Sequence, residues 1–105
     1  MIILVQTKES ILTIIKRNQG KIKSFGVKKL GLFGSFAREE QNVESDLDLL
    51  VDFEKGRKTF DNFINLSFFL EDLMNRPIEL ITPESLSPYL KPHILKDIEY
   101  VTFSS

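Results

Sequence analysis

Leu32-Phe33-Gly34-Ser35-Phe36-Ala37-Arg38 and Ser45-Asp46-Leu47-Asp48-Leu49-Leu50-Val51 decide how this chain is read. In the first stretch, the apolar run Lys29 to Phe33 reads as a strand that ends at Gly34. Ser35 is then placed to cap a short helix from Phe36 to about Glu40. Backbone N–H groups at a helix opening attract anions. Gly34 lets a phosphate approach the backbone, Ser35 adds a hydroxyl donor, and Arg38 follows one turn on. The second stretch alternates. Leu47, Leu49 and Val51 face a core, while Asp46 and Asp48 share the other face about 6.5 Å apart along the strand. Neighbouring carboxylates raise each other's pKa unless a cation lies between them, and hard oxygen donors suit Mg²⁺. Each stretch also has a plainer reading, as an ordinary turn and cap or as a strand with a solvated acidic face.

Working outward, the pattern predicts a long helix from Thr59 to Asn75 and a third strand, Ile78-Glu79-Leu80-Ile81. Glu79, on a strand beside the aspartates, is positioned to complete a three-carboxylate cluster. Thr82-Pro83 and Ser87-Pro88 both look like helix starts, and the last helix runs to about Glu99. Upstream, a helix from Lys8 to Gln19 is capped by Thr7, buries Ile11, Ile14 and Ile15, and stops at Gly20. This order of elements predicts an α/β fold: a small mixed sheet of three or so strands flanked by about four helices, in one domain spanning residues 1–105. On the helix of residues 60–74, Phe60, Phe63, Leu66, Leu70, Leu73 and Met74 share a broad face. Ile64, Phe68 and Phe69 fall outside it, so either neighbouring elements of the domain cover them or they form a surface for a second copy of the chain or for a partner.

Composition narrows the chemistry. The absence of cysteine excludes disulfides and thiolate chemistry, and one histidine, His93, excludes a two-histidine metal site. Carboxylates, hydroxyls, Arg and Lys remain. Residues 1–29 carry a net charge of +6 and residues 39–54 a net charge of −7. So dense an acidic stretch repels itself unless a cation sits there. The lysines of the basic stretch are scattered and have no interleaved aromatics, so they read as a solvated face, not a nucleic-acid site. The apolar start Met1–Val5 is too short for a signal peptide or a membrane span, and a soluble, cytoplasmic protein is expected. Asp52 shares the parity of Asp46 and Asp48 but reads as structural.

Gly34-Ser35, then Asp46-x-Asp48, then a strand acid is an arrangement that resembles the nucleotidyltransferase superfamily related to DNA polymerase β. The surrounding residues, together with Ile78-Glu79-Leu80-Ile81-Thr82-Pro83-Glu84-Ser85-Leu86 and Ile94-Leu95-Lys96-Asp97-Ile98, are similar to the minimal nucleotidyltransferases. Those are the antitoxin halves of HEPN/MNT toxin–antitoxin pairs. The resemblance implies a polymerase β-like fold and AMP transfer from ATP to a hydroxyl, a tyrosine of a HEPN toxin. It implies two Mg²⁺ ions on Asp46, Asp48 and Glu79, which are also the catalytic acids. Gly34, Ser35 and Arg38 would bind the nucleotide, with Ser45 fixing the turn that aims Asp46. Two positions depart from the family pattern: Glu39 stands where glycine is usual, and Glu79 where aspartate is usual. A chain that neutralises its HEPN partner by binding, without catalysis, is the alternative.

Overall fold

The computed structural model describes residues 6–42 and 44–103, with a Cα radius of gyration of 13.4 Å. The expected apolar start, Met1–Val5, lies outside the described residues. Helix α1 covers Lys8–Arg17. Its capping box pairs the Thr7 hydroxyl, accepting from the Ser10 N–H at 3.1 Å, with the Ser10 hydroxyl, accepting from the Thr7 N–H at 2.9 Å. The helix does not run on to a stop at Gly20. It breaks at Asn18, whose side chain donates to the Ile14 carbonyl at 2.8 Å, and α2 (Gln19–Ser24) starts at once. This new direction buries Ile22 completely. The left-handed stop comes at Gly26, where φ is +86° and the Arg57 side chain fills the space a Cβ would need.

Strand β1 (Val27–Phe33) pairs antiparallel with β2 (Leu47–Phe53). Helix α3 (Phe60–Met74) is capped by the Thr59 hydroxyl and ended by Asn75, a left-handed residue with φ +51°. It returns the chain to β3 (Ile78–Ile81), which lies parallel to β2. Pro83–Ser85 makes one 3₁₀ turn instead of a helix. The Ser87 hydroxyl accepts from the Leu90 N–H at 3.2 Å, so the Ser87-Pro88 cap opens a turn, and helix α4 (Lys91–Asp97) follows it. A fourth strand then appears where the last helix was expected to end. β4 (Glu99–Thr102) pairs antiparallel with β1 and buries Val101, and Phe103 just after it is buried too. The sheet is mixed, in the order β3-β2-β1-β4. No helix among the described residues is long and apolar enough to cross a membrane.

The two faces of the sheet differ. Leu30, Leu32, Leu47, Leu49 and Val51 are all fully buried beneath Ile11 and Ile15 of α1, Ile22 of α2, and Leu66, Leu70 and Met74 of α3. Burying apolar surface contributes about 25 cal/mol per Å², and most of the core cluster lies on that face. Phe69 is covered by Phe25, with ring centroids 5.8 Å apart. Phe60 is not on the buried side as expected: at the first helical position it is 77% exposed. The opposite face carries Gly31, Asp48, Leu50 and Glu79, as the strand register requires. There α4 approaches β1, and a Cβ on Gly31 would run into Ile98.

Candidate active site

Gly34 and Asp48 meet where β1 ends. Phe33 is opposite Asp48 in the register, so the next residue turns across the Asp48 carboxylate. Gly34 has φ +76°, and a Cβ there would collide with Asp48 Oδ2. The two sequence motifs are therefore in contact, and glycine is required twice over.

Residues 34–39 form a turn, and the expected helix from Phe36 to Glu40 is absent. The Arg38 N–H reaches the Gly34 carbonyl at 3.1 Å, the Glu39 N–H the Phe36 carbonyl at 3.3 Å, and the Glu40 N–H the Ser35 carbonyl at 2.8 Å. The last two bonds are the paired closure of a Schellman motif. Glu39 is its left-handed residue, with φ +59°. That closure stops the chain after a single turn and explains why glycine suits position 39. Phe36, fully buried, and Ala37 anchor the turn in the core. Gly34–Ser35 thus offers a phosphate turn N–H groups and a hydroxyl, without the dipole of a full helix.

Asp46 precedes β2 and is exposed. Its approach is built by Ser45, whose hydroxyl accepts from the Asn42 N–H at 2.9 Å and whose carbonyl accepts from Arg76 Nη1 at 2.7 Å. Asp48 and Glu79 are direct neighbours across the parallel pair of β2 and β3. The Asp48 carboxyl is pushed up to about 6, first by burial, then by the charge of Glu79, a hydrogen bond shared with Glu79, and the charge of Asp46. Arg38 pulls the other way. Arg38 itself is held by Glu40, Nε to Oε1 at 2.7 Å, and its pKa is raised chiefly by that bond. Glu40 therefore pairs with the arginine expected to meet phosphate.

The structure brings Gly34 against Asp48 and Asp48 against Glu79, with Asp46 close enough for its charge to be felt. Among the described residues, no three acidic or histidine side chains are already gathered as a cation cage. The donor chemistry still fits a hard divalent ion. Asp48 and Glu79 are adjacent oxygen donors whose repulsion such an ion would relieve, and Asp46 is a third donor at the mouth. Sequence reasoning passed over Arg76. The visible signal is its place between Asn75, a natural left-handed helix stop, and Pro77, directly before the strand that carries Glu79.

Residues 8–101 match the nucleotidyltransferase domain family. The protein adenylyltransferase MntA of Thermococcus cleftensis is 38% identical over 93 residues, covering 89% of this chain and 91% of that one. A solved minimal nucleotidyltransferase superposes with a TM-score of 0.76 at 30% identity, covering 90% of this chain and 95% of that one. At 18% identity the likeness is one of fold to a complex of a tri-AMPylated HEPN toxin of Shewanella oneidensis with its MNT antitoxin. Its TM-score is 0.53, over 81% of this chain and 69% of that one. With the Gly-Ser turn, the strand aspartates and the four-stranded sheet in place, this chain belongs to the nucleotidyltransferase domain family, in its minimal form.

Proposed function

We propose that this chain transfers AMP from ATP to a tyrosine hydroxyl of a HEPN-domain toxin, and so acts as an antitoxin. The observation that carries this is the Asp48–Glu79 carboxylate pair set against the Gly34 turn, an acidic centre in contact with the Gly-Ser motif. The likeness to an MntA adenylyltransferase and to an AMPylated toxin complex supports the donor and the acceptor.

In the transfer, the acceptor oxygen bonds to the α-phosphorus of ATP. The bond from that phosphorus to the β-phosphate breaks and pyrophosphate leaves. The hydroxyl proton passes to a carboxylate of the Asp48–Glu79 pair. Gly34 and Ser35 hold the β- and γ-phosphates, and Arg38 exchanges Glu40 for them. Asp46, Asp48 and Glu79 would hold two Mg²⁺ ions, which would supply charge neutralisation on the triphosphate and acidify the acceptor hydroxyl. Phe60 and Phe68, 77% and 62% exposed on α3, support contact of this helix with the partner or with a second copy of the chain.

The test is the intact mass of a HEPN partner co-expressed with this chain. Each AMP adds about 329 Da, a charged group that acts through local electrostatics. The shift is expected to vanish in Asp46→Asn/Asp48→Asn. A shift that persists in the double variant overturns the assignment. No shift in either, with the complex intact, identifies a binder without catalysis.

A further inference from the structure

We infer that Arg76 is a positioning residue that locks both motif turns to the strand carrying Glu79; this role rests on the adenylyl-transfer function proposed above. The side chain lies at the α3–β3 corner. Asn75 ends α3 in the left-handed region, and this sends Arg76 back under the mouth of the site. Its Nη1 donates to the Ser45 carbonyl at 2.7 Å, one residue before Asp46. Its Nε donates to Gln6 Oε1 at 3.0 Å. Its guanidinium carbon lies 4.9 Å from the centre of the Phe36 ring, one residue after Ser35. The next residue completes the brace, since the Pro77 carbonyl accepts from the Leu47 N–H at 3.0 Å, between Asp46 and Asp48.

One planar cation thus touches the turn that aims Asp46 and the turn that presents Ser35, and it sits three residues before Glu79 in the chain. The geometry calls for arginine. Two N–H donors in different directions and a flat face for Phe36 cannot all be supplied by a lysine ammonium. The interaction is with a backbone carbonyl and a ring, so Arg76 acts on where the catalytic groups sit. Outer-shell partners of this kind are typically worth 10–100-fold in activity or metal affinity.

The test compares wild type, Arg76→Lys and Arg76→Met by AMP transfer to the HEPN partner, with melting temperature measured in parallel. In Arg76→Met, kcat is expected to fall about 10–100-fold with the KM for the HEPN partner unchanged, and Arg76→Lys is expected to recover part of the loss. A second readout does not need activity. In two-dimensional ¹H–¹⁵N NMR spectra, amide signals of both Ser35–Arg38 and Ser45–Asp48 are expected to move in either variant. An unchanged kcat per folded molecule, or amide shifts confined to one of the two turns, overturns the inference. If Arg76→Met does not fold, Arg76→Lys carries both readouts. If wild type transfers no AMP, the proposed function fails, while the amide shifts still decide whether Arg76 joins the two turns.

Discussion

Strand β2 places an acid on the same face near each end, and the two ends are built differently. At the far end, Asp52 stands opposite Lys29 in the register. The Lys29 ammonium lies 4.1 Å over the Tyr100 ring, and nearby Lys58 pairs with Glu84 at 3.0 Å. Here Asp52 has a lysine as its register neighbour, and Glu84 is paired with a base. At the near end, Asp48 meets Glu79 and feels Asp46, and Arg38, a cation whose field reaches it, is held by Glu40. Like charges gathered in a half-buried place cost stability, and a fold keeps them where something else supplies the cation. The contrast sets an acid that fits the scaffold against acids that the proposed reaction would use.

The comparison breaks most visibly if the two ends respond alike. Asp48→Asn is expected to cut AMP transfer about 1,000-fold, a loss of several kcal/mol of transition-state stabilisation, while Asp52→Asn changes it less than about twofold. Quantitative mass spectrometry of the acceptor reads both, and equal losses would end the distinction. Gly34→Ala forces a Cβ into the Asp48 carboxylate at a left-handed position and is expected to cost about 1–3 kcal/mol in urea denaturation. The same change at Gly20, which has nothing within 4 Å, is expected to add about 0.5 kcal/mol.

Stability against pH sharpens the same contrast. The folded state raises the Asp48 pKa from 3.8 to about 6, so it binds that proton more tightly than the unfolded chain does. Protonated Asp48 is therefore fully accommodated below about pH 4, and stability is lost as pH rises through about 6. Relative to wild type, Asp48→Asn is expected to gain stability across that window, with Asp52→Asn lacking the effect in parallel melts. Mg²⁺ is expected to reduce the wild-type loss. A smaller effect is at Glu39. Glu39→Gly relieves a left-handed non-glycine residue and is expected to add about 1 kcal/mol with AMP transfer unchanged.

Most of the site was legible because alternation is a local property. Leu47, Leu49 and Val51 could be assigned inward and Asp48 outward from spacing, and the strand register then placed Glu79 beside Asp48. What the chain hid was set by tertiary contact. The break at Asn18 follows from burying Ile22, a demand that no propensity of Gln19 or Gly20 announces. Strand β4 is four residues long and exposes Glu99 and Tyr100, so its apolar signal is reduced to Val101, with Phe103 just beyond it. The turn after Ser35 closes through Glu39 in a conformation that glutamate seldom adopts, so the residue type pointed to a longer helix. Arg76 was out of reach because its partners, Gln6, Phe36 and Ser45, are far from it in sequence.

The most direct measurement is the rise in melting temperature produced by Mg²⁺ with a non-hydrolysable ATP analogue at neutral pH, for wild type, Asp48→Asn and Asp52→Asn. Ligand that binds the folded state raises the melting temperature by mass action. Wild type and Asp52→Asn are expected to rise by the same amount, and Asp48→Asn is expected not to rise. A rise in Asp48→Asn as large as in wild type would contradict the assignment of metal and nucleotide to the Asp48 end of the strand.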